Sequence, residues 1–152
     1  MHEGLHRTQK INSAMDKIEH ITHKGIKYAE IIWSGISVEH TTFFSPGESS
    51  FQFGLLAHKA GFIEAPHYHK PVKREISDLQ QMFVVQRGIV AVELYSEDGD
   101  MIKEVVLKTG DAIVLIHGVH AIRVIEDMQC ISVKQGPFLG DENDKVFVNF
   151  KK

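Results

Sequence analysis

Short apolar runs cut by glycine repeat along most of this chain, and that rhythm limits what it can fold into. Residues 28–33, 38–44, 51–58, 82–85, 89–95, 105–107, 112–116, 121–125 and 130–133 are rich in aromatic or β-branched side chains. Gly35, Pro46-Gly47, Gly61 and Gly88 separate several of them. Glu97-Asp98-Gly99-Asp100 is a hairpin signal, because Asp-Gly suits turns that need positive φ. Runs of this length and spacing predict an all-β protein, an antiparallel sandwich or barrel.

One stretch breaks the rhythm. From Arg7 to His23, the residues Ile11, Met15, Ile18 and Ile21 fall close to helical spacing, and Ser13-Ala14-Met15-Asp16 suits a helix start. The pattern predicts one short N-terminal helix, broken at Gly25. Residues 1–50 then read as a helix and strands that pack on, or swap between, barrels. Residues 51–152 form the barrel, and the whole is a single domain.

A length of 152 residues suffices for one hydrophobic core. The formal net charge of −3 gives no reason to expect nucleic acid or an anionic membrane as partner. Cys130 is the sole cysteine and reads as a small buried hydrophobe in a reducing compartment. No segment has the length and apolarity of a membrane span, and the first residues lack the apolar core of a signal peptide. A cytoplasmic location is expected. No phosphate-cradling loop and no Gly-x-Ser-x-Gly elbow is present.

The chemistry concentrates in His67-Tyr68-His69, which follows Gly61. On a strand, residues at i and i+2 share a face, so both imidazoles would converge on one point. Two neutral imidazoles form half of a typical transition-metal site. His120 follows Gly118-Val119 at the mouth of another apolar run. Parity supports a common interior: Gln81, Phe83 and Val85 share one face, and so do His120, Ile122 and Val124. His117 reads as a rim group beside the same turn.

In these motifs the chain resembles the cupin superfamily. Gly61 with His67 and His69, then Gln81 and Gly88, follow the order of the first cupin motif. Gly110-Asp111-Ala112 and Gly118-Val119-His120 follow the second. The resemblance covers about residues 51–133. It implies a jelly-roll barrel in which His67, His69 and His120 hold one divalent metal (Zn, Fe, Mn or Ni). Gln81 would serve as a weaker fourth ligand, since an amide oxygen brings no charge.

The chain departs from the motifs in several places. The gap between His69 and Gln81 is long, the acidic ligand is replaced by Gln81, Ile116 stands where proline is usual, and the step to His120 is one residue short. Glu75 is the rival fourth ligand, but using it would break the register to Gly88.

Further pieces narrow the resemblance. The C-terminal run Val133-Lys134-Gln135-Gly136-Pro137-Phe138, with Asp144-Lys145 beyond, is similar to the tail of small single-domain cupin metalloproteins linked to cell-surface polysaccharide synthesis. His67-Tyr68-His69-Lys70 and Leu79-Gln80-Gln81 are similar to a stretch of nucleotide-sugar ketoisomerases, which use histidine for proton transfer without metal. These resemblances imply a metal-binding cupin acting on a small sugar-derived substrate. A metal-free isomerase or epimerase, with His67 or His69 as general base, is the alternative, and a non-enzymatic ligand-binding cupin is a third. In the charged run from Lys70 to Leu79, the cations Lys70, Lys73 and Arg74 would clamp an anionic substrate if the loop acts as a lid, or simply be solvated. A small-molecule ligand and a homodimer are the expected partners.

Overall fold

Residues Ile18–His23 form strand β1, not the end of a helix. The computed structural model describes residues 18–150, and the rest of the expected helix lies outside them. β1 pairs antiparallel with β2 (Ile26–Ile32) around Lys24-Gly25. Ile18 and Ile21 are three apart, a spacing that fits a helix face but puts them on opposite faces of a strand. Each finds its own core cluster here, so the strand buries both. Two β-branched isoleucines followed by Thr22 favour that outcome.

The chain then forms a two-residue pair, β3 (Thr42–Phe43) with β4 (Gly54–Leu55). The apolar runs around them give little ladder. Their aromatic residues Phe44, Phe51 and Phe53 instead cover a second apolar cluster with Ile18, Ile32, Ala112 and Val114. The remaining elements are β5 (Gln81–Tyr95), β6 (Met101–Lys108), β7 (Ala112–Leu115), β8 (Val119–Lys134) and a single helical turn, α1 (Asp141–Asp144). Sheet order is β1-β2-β7-β5-β6, with β8 on the other side of β5. The protein is all-β, a curled antiparallel sheet close to a half-barrel. No helix among the described residues is long and apolar enough to cross a membrane.

β5 organises the sheet. The separate runs 82–85 and 89–95 belong to this one strand of 15 residues. Drawn straight, it would span about 50 Å. Its first residue, Gln81, lies opposite Leu115 of β7, and its last, Tyr95, lies opposite Val119 of β8. Leu115 and Val119 are only four steps apart, at most about 15 Å of chain. β5 must therefore curl back on itself, and β8 curls with it. The bend sits between Val85 and Val90, where the register to β8 slips repeatedly. Gly88 makes the bend feasible: its φ is 84°, and a Cβ there would collide with the carbonyl oxygen of Asp127.

The curl encloses the larger core cluster, with Val85, Val90, Val92 and Leu94 of β5 facing Val105, Leu107 and Ile113. Burying each such side chain contributes about 1.5–3 kcal/mol. Asp111 pins the β6–β7 turn. Its buried carboxylate accepts from the backbone N–H of Ser34 at 2.7 Å and of Lys108 at 2.9 Å. The hairpin expected at Asp98-Gly99 joins β5 to β6, with Ser96 and Asp100 closing it at 2.9 Å.

Candidate functional site

The turn between β7 and β8 is held by a single carbonyl. Tyr28 O accepts from the backbone N–H of Ile116 at 2.9 Å and of His117 at 3.2 Å. Gly118 has φ of 75°, and a Cβ there would strike the Tyr28 ring. This close approach needs glycine, and it fixes where His117 and His120 emerge. The His117 ring meets Tyr28 edge-on at 5.1 Å, and its Nε2 lies 3.5 Å from Glu97 Oε1.

His120 lies near the start of β8, and Ile122 and Val124, which follow it on the same face, are 39% and 52% exposed. His120, Ile122 and Val124 lie opposite Leu94, Val92 and Val90, all members of the enclosed cluster. On β5, Val85 belongs to the same cluster and Phe83 packs against it, with Gln81 at the head of that face. The expected interior face thus holds on β5 at Phe83 and Val85, whereas His120, Ile122 and Val124 of β8 are exposed and belong to neither core cluster. Because β5 is curled, Gln81 and His120 border one cavity of about 330 Å³, together with Asp78, Leu115 and His117.

The groups around this cavity are tuned in opposite ways. Protein atoms crowd His120 on the cavity side while part of its ring stays open to solvent. That lost hydration, and then the positive charge of Lys145, push its pKa below the usual histidine value. Neutral imidazole is the ligating and base form. Gln80 Nε2 donates to Asp78 Oδ2 at 2.8 Å, and Ser50 Oγ donates to both carboxylate oxygens at 3.0 Å. These bonds, Gln80 first, hold the Asp78 carboxyl below the usual range, so it is ionised. Gln81 Nε2 donates to Ser132 Oγ at 2.9 Å, which leaves its Oε1 as the unengaged atom. Asp78 was visible in the sequence only as one charge in a charged run. What holds it comes partly from Ser50, far away in the chain.

His67 and His69 are placed elsewhere. Residues 56–80 carry no strand, and both histidines are exposed. The expected strand does not form between Pro66 and Pro71, which remove backbone donors on either side of the pair. The two rings stand edge to face, 5.4 Å apart, and His67 Nδ1 lies 3.0 Å from Ala65 O. Neither borders the cavity of Gln81 and His120. Lys70, Lys73, Arg74 and Glu75 are exposed on the same segment and do not border it. Lys73 and Glu75 pair with each other at 3.0 Å.

As a donor set, neutral imidazole, amide oxygen and ionised carboxylate suit a borderline divalent cation. Among the described residues, though, no group of three or more His, Cys, Asp or Glu side chains is arranged to hold one. Cys130 is half-buried against the core, its Sγ 3.2 Å from Met128 Sδ, and burial pushes its thiol pKa up.

No protein family, curated protein or solved structure gives a match to this chain.

Proposed function

We propose that the chain is a metal-binding cupin, with a jelly-roll barrel, that acts on a small sugar-derived substrate as a homodimer. The observation that carries this reading is Gln81 and His120 bordering one cavity. These are the residues that the two separate motifs offer as ligands. His67 and His69, already neighbours, would join them around one Zn, Fe, Mn or Ni ion. The bound ion would polarise a substrate oxygen as a Lewis acid.

The chain's own residues account for the rest. Gln81 presents Oε1 because its amide nitrogen is engaged by Ser132. His120 is kept neutral by its surroundings and stays available as a ligand. Asp78, ionised, accepts a hydrogen bond from a substrate hydroxyl. His117, whose Nε2 lies 3.5 Å from Glu97 Oε1, borders the same cavity and can hydrogen-bond a substrate there.

A second reading has its own support. His117, His120 and Asp78 border the cavity while His67 and His69 lie apart from it. That arrangement suits proton transfer without metal, as in a nucleotide-sugar isomerase or epimerase, with His120 rather than His67 or His69 as base. Elemental analysis of tag-free protein separates the two. About one divalent ion per subunit is expected, lost in His120→Ala and in the double variant His67→Ala, His69→Ala. A carefully metallated protein that still carries no ion would leave the metal-free reading in its place.

A further inference from the structure

Three cavities meet at His120, and the largest of them is unlike the other two. It measures about 720 Å³, within the range that holds small-molecule ligands. Strand ends and the C-terminal tail form its walls, including Tyr95, Met101, Phe147 and Phe150. Its polar side chains besides the Tyr95 hydroxyl are His120 and Asn149, and no Asp, Glu, Lys or Arg among the described residues borders it. The Tyr95 hydroxyl already donates to Glu93. The other two chambers are charged: one holds Asp78, the other Asp144 and Lys145.

The tail is held in place at its far end. Phe150 packs on Tyr95 at 5.3 Å and lies over Gly99, where a Cβ would crowd its ring. Nearer the mouth, Phe147 is 86% exposed. A large aromatic at the lip of an uncharged chamber is an unfilled contact surface.

We propose that this chamber binds the uncharged ring of the substrate, packed against Phe147, while the ring's polar substituents reach past His120 toward Gln81 and His117. The inference rests on the reading of His120 as part of the functional site, and it reverses one expectation. Lys70, Lys73 and Arg74 border none of the three chambers at His120, so the clamp expected of that segment does not reach this ring.

Calorimetry with three probes at millimolar concentration tests the proposal: methyl glucoside, phenol and glucose 1-phosphate. Binding of either neutral probe, unchanged by added salt, supports it, and which one binds tells a sugar face from an aryl face. Phe147→Ala should weaken that binding about tenfold or more. Ala121→Trp, which fills the chamber from β8, should abolish it with the fold intact by circular dichroism. No binding of either neutral probe overturns the proposal. So does salt-sensitive binding of glucose 1-phosphate alone, or neutral binding indifferent to both variants. Metal content measured on the same samples keeps the two readings apart. Metal without probe binding defeats the ring chamber alone, and probe binding without metal defeats the metal site alone.

Discussion

His120 borders three of the cavities, and its surroundings bias its protonation state. Crowding and the charge of Lys145 lower its pKa from 6.5. The folded protein therefore binds fewer protons at this ring than the unfolded chain does. The associated stability is present above pH 6.5 and is lost as pH falls through the folded-state value. Proton NMR of the imidazole should give a titration midpoint below 6.5, and His120→Asn should flatten the stability-versus-pH curve in that window. A midpoint at or above 6.5 would contradict the crowding argument. Gln81 gives a second test. Gln81→Glu places a carboxylate where Oε1 now stands, and Ser132 can still donate to it. Metal affinity should rise about tenfold or more, as one added charge at ligating distance implies. Dialysis against a competing chelator measures it, and unchanged affinity would remove Gln81 from the site. Motif order made Gln81 and His120 readable as candidates that border one cavity, while parity missed that the His120 face of β8 is exposed. Asp78 stayed hidden because its ionisation depends on Ser50 and Gln80, a tertiary arrangement with no local signal.

Elements show where pattern reading stops. Strand propensity located β5 and β8 but divided each in two, at Gly88 and between residues 125 and 130. Both places are bends inside long strands, where a bulge lets paired strands curl together. The end of the expected helix, residues 18–23, is a strand for the opposite reason. Ile18 and Ile21 follow helical spacing, yet the strand buries them on two faces in two clusters, and tertiary packing outweighs weak propensity. The histidine pair was read on a strand because alternation is the default for such a run, and the flanking prolines weigh against it. Gly88 offers the sharpest test at this scale. Gly88→Ala puts a side chain at φ of 84° against the Asp127 carbonyl, at the bend on which the curl depends. Urea unfolding should show a loss of about 2–4 kcal/mol. Gly61→Ala, with a similar φ but nothing within 4 Å of the added Cβ, should cost markedly less. Equal costs would mean that the bend does not need the close approach.

At the scale of the molecule, apolar surface remains open along one edge of the sheet. That edge is β8, which among the described residues pairs with β5 alone. Its Ile131 and Val133 are 46% and 45% exposed. They lie opposite Val84 and Met82, which pack against the second cluster. That apolar face thus runs across the sheet and ends uncovered at an unpaired edge, with Phe138 and Leu139 exposed just beyond it in the chain. A bare edge of this kind invites pairing with another strand. A second copy meeting it in antiparallel fashion would set Ile131 against its counterpart's Val133 and extend the face across a twofold axis. Sedimentation at micromolar concentration should accordingly give the mass of a dimer. Ile131→Lys with Val133→Lys should give a monomer, because lysines at an edge oppose pairing and cannot bury their charge. Metal content should survive that change, since neither side chain borders the cavity of Gln81 and His120. A monomer from the unaltered chain would refute the dimer. A dimer that persists in the lysine variant would move the interface away from β8, to the N-terminal segment.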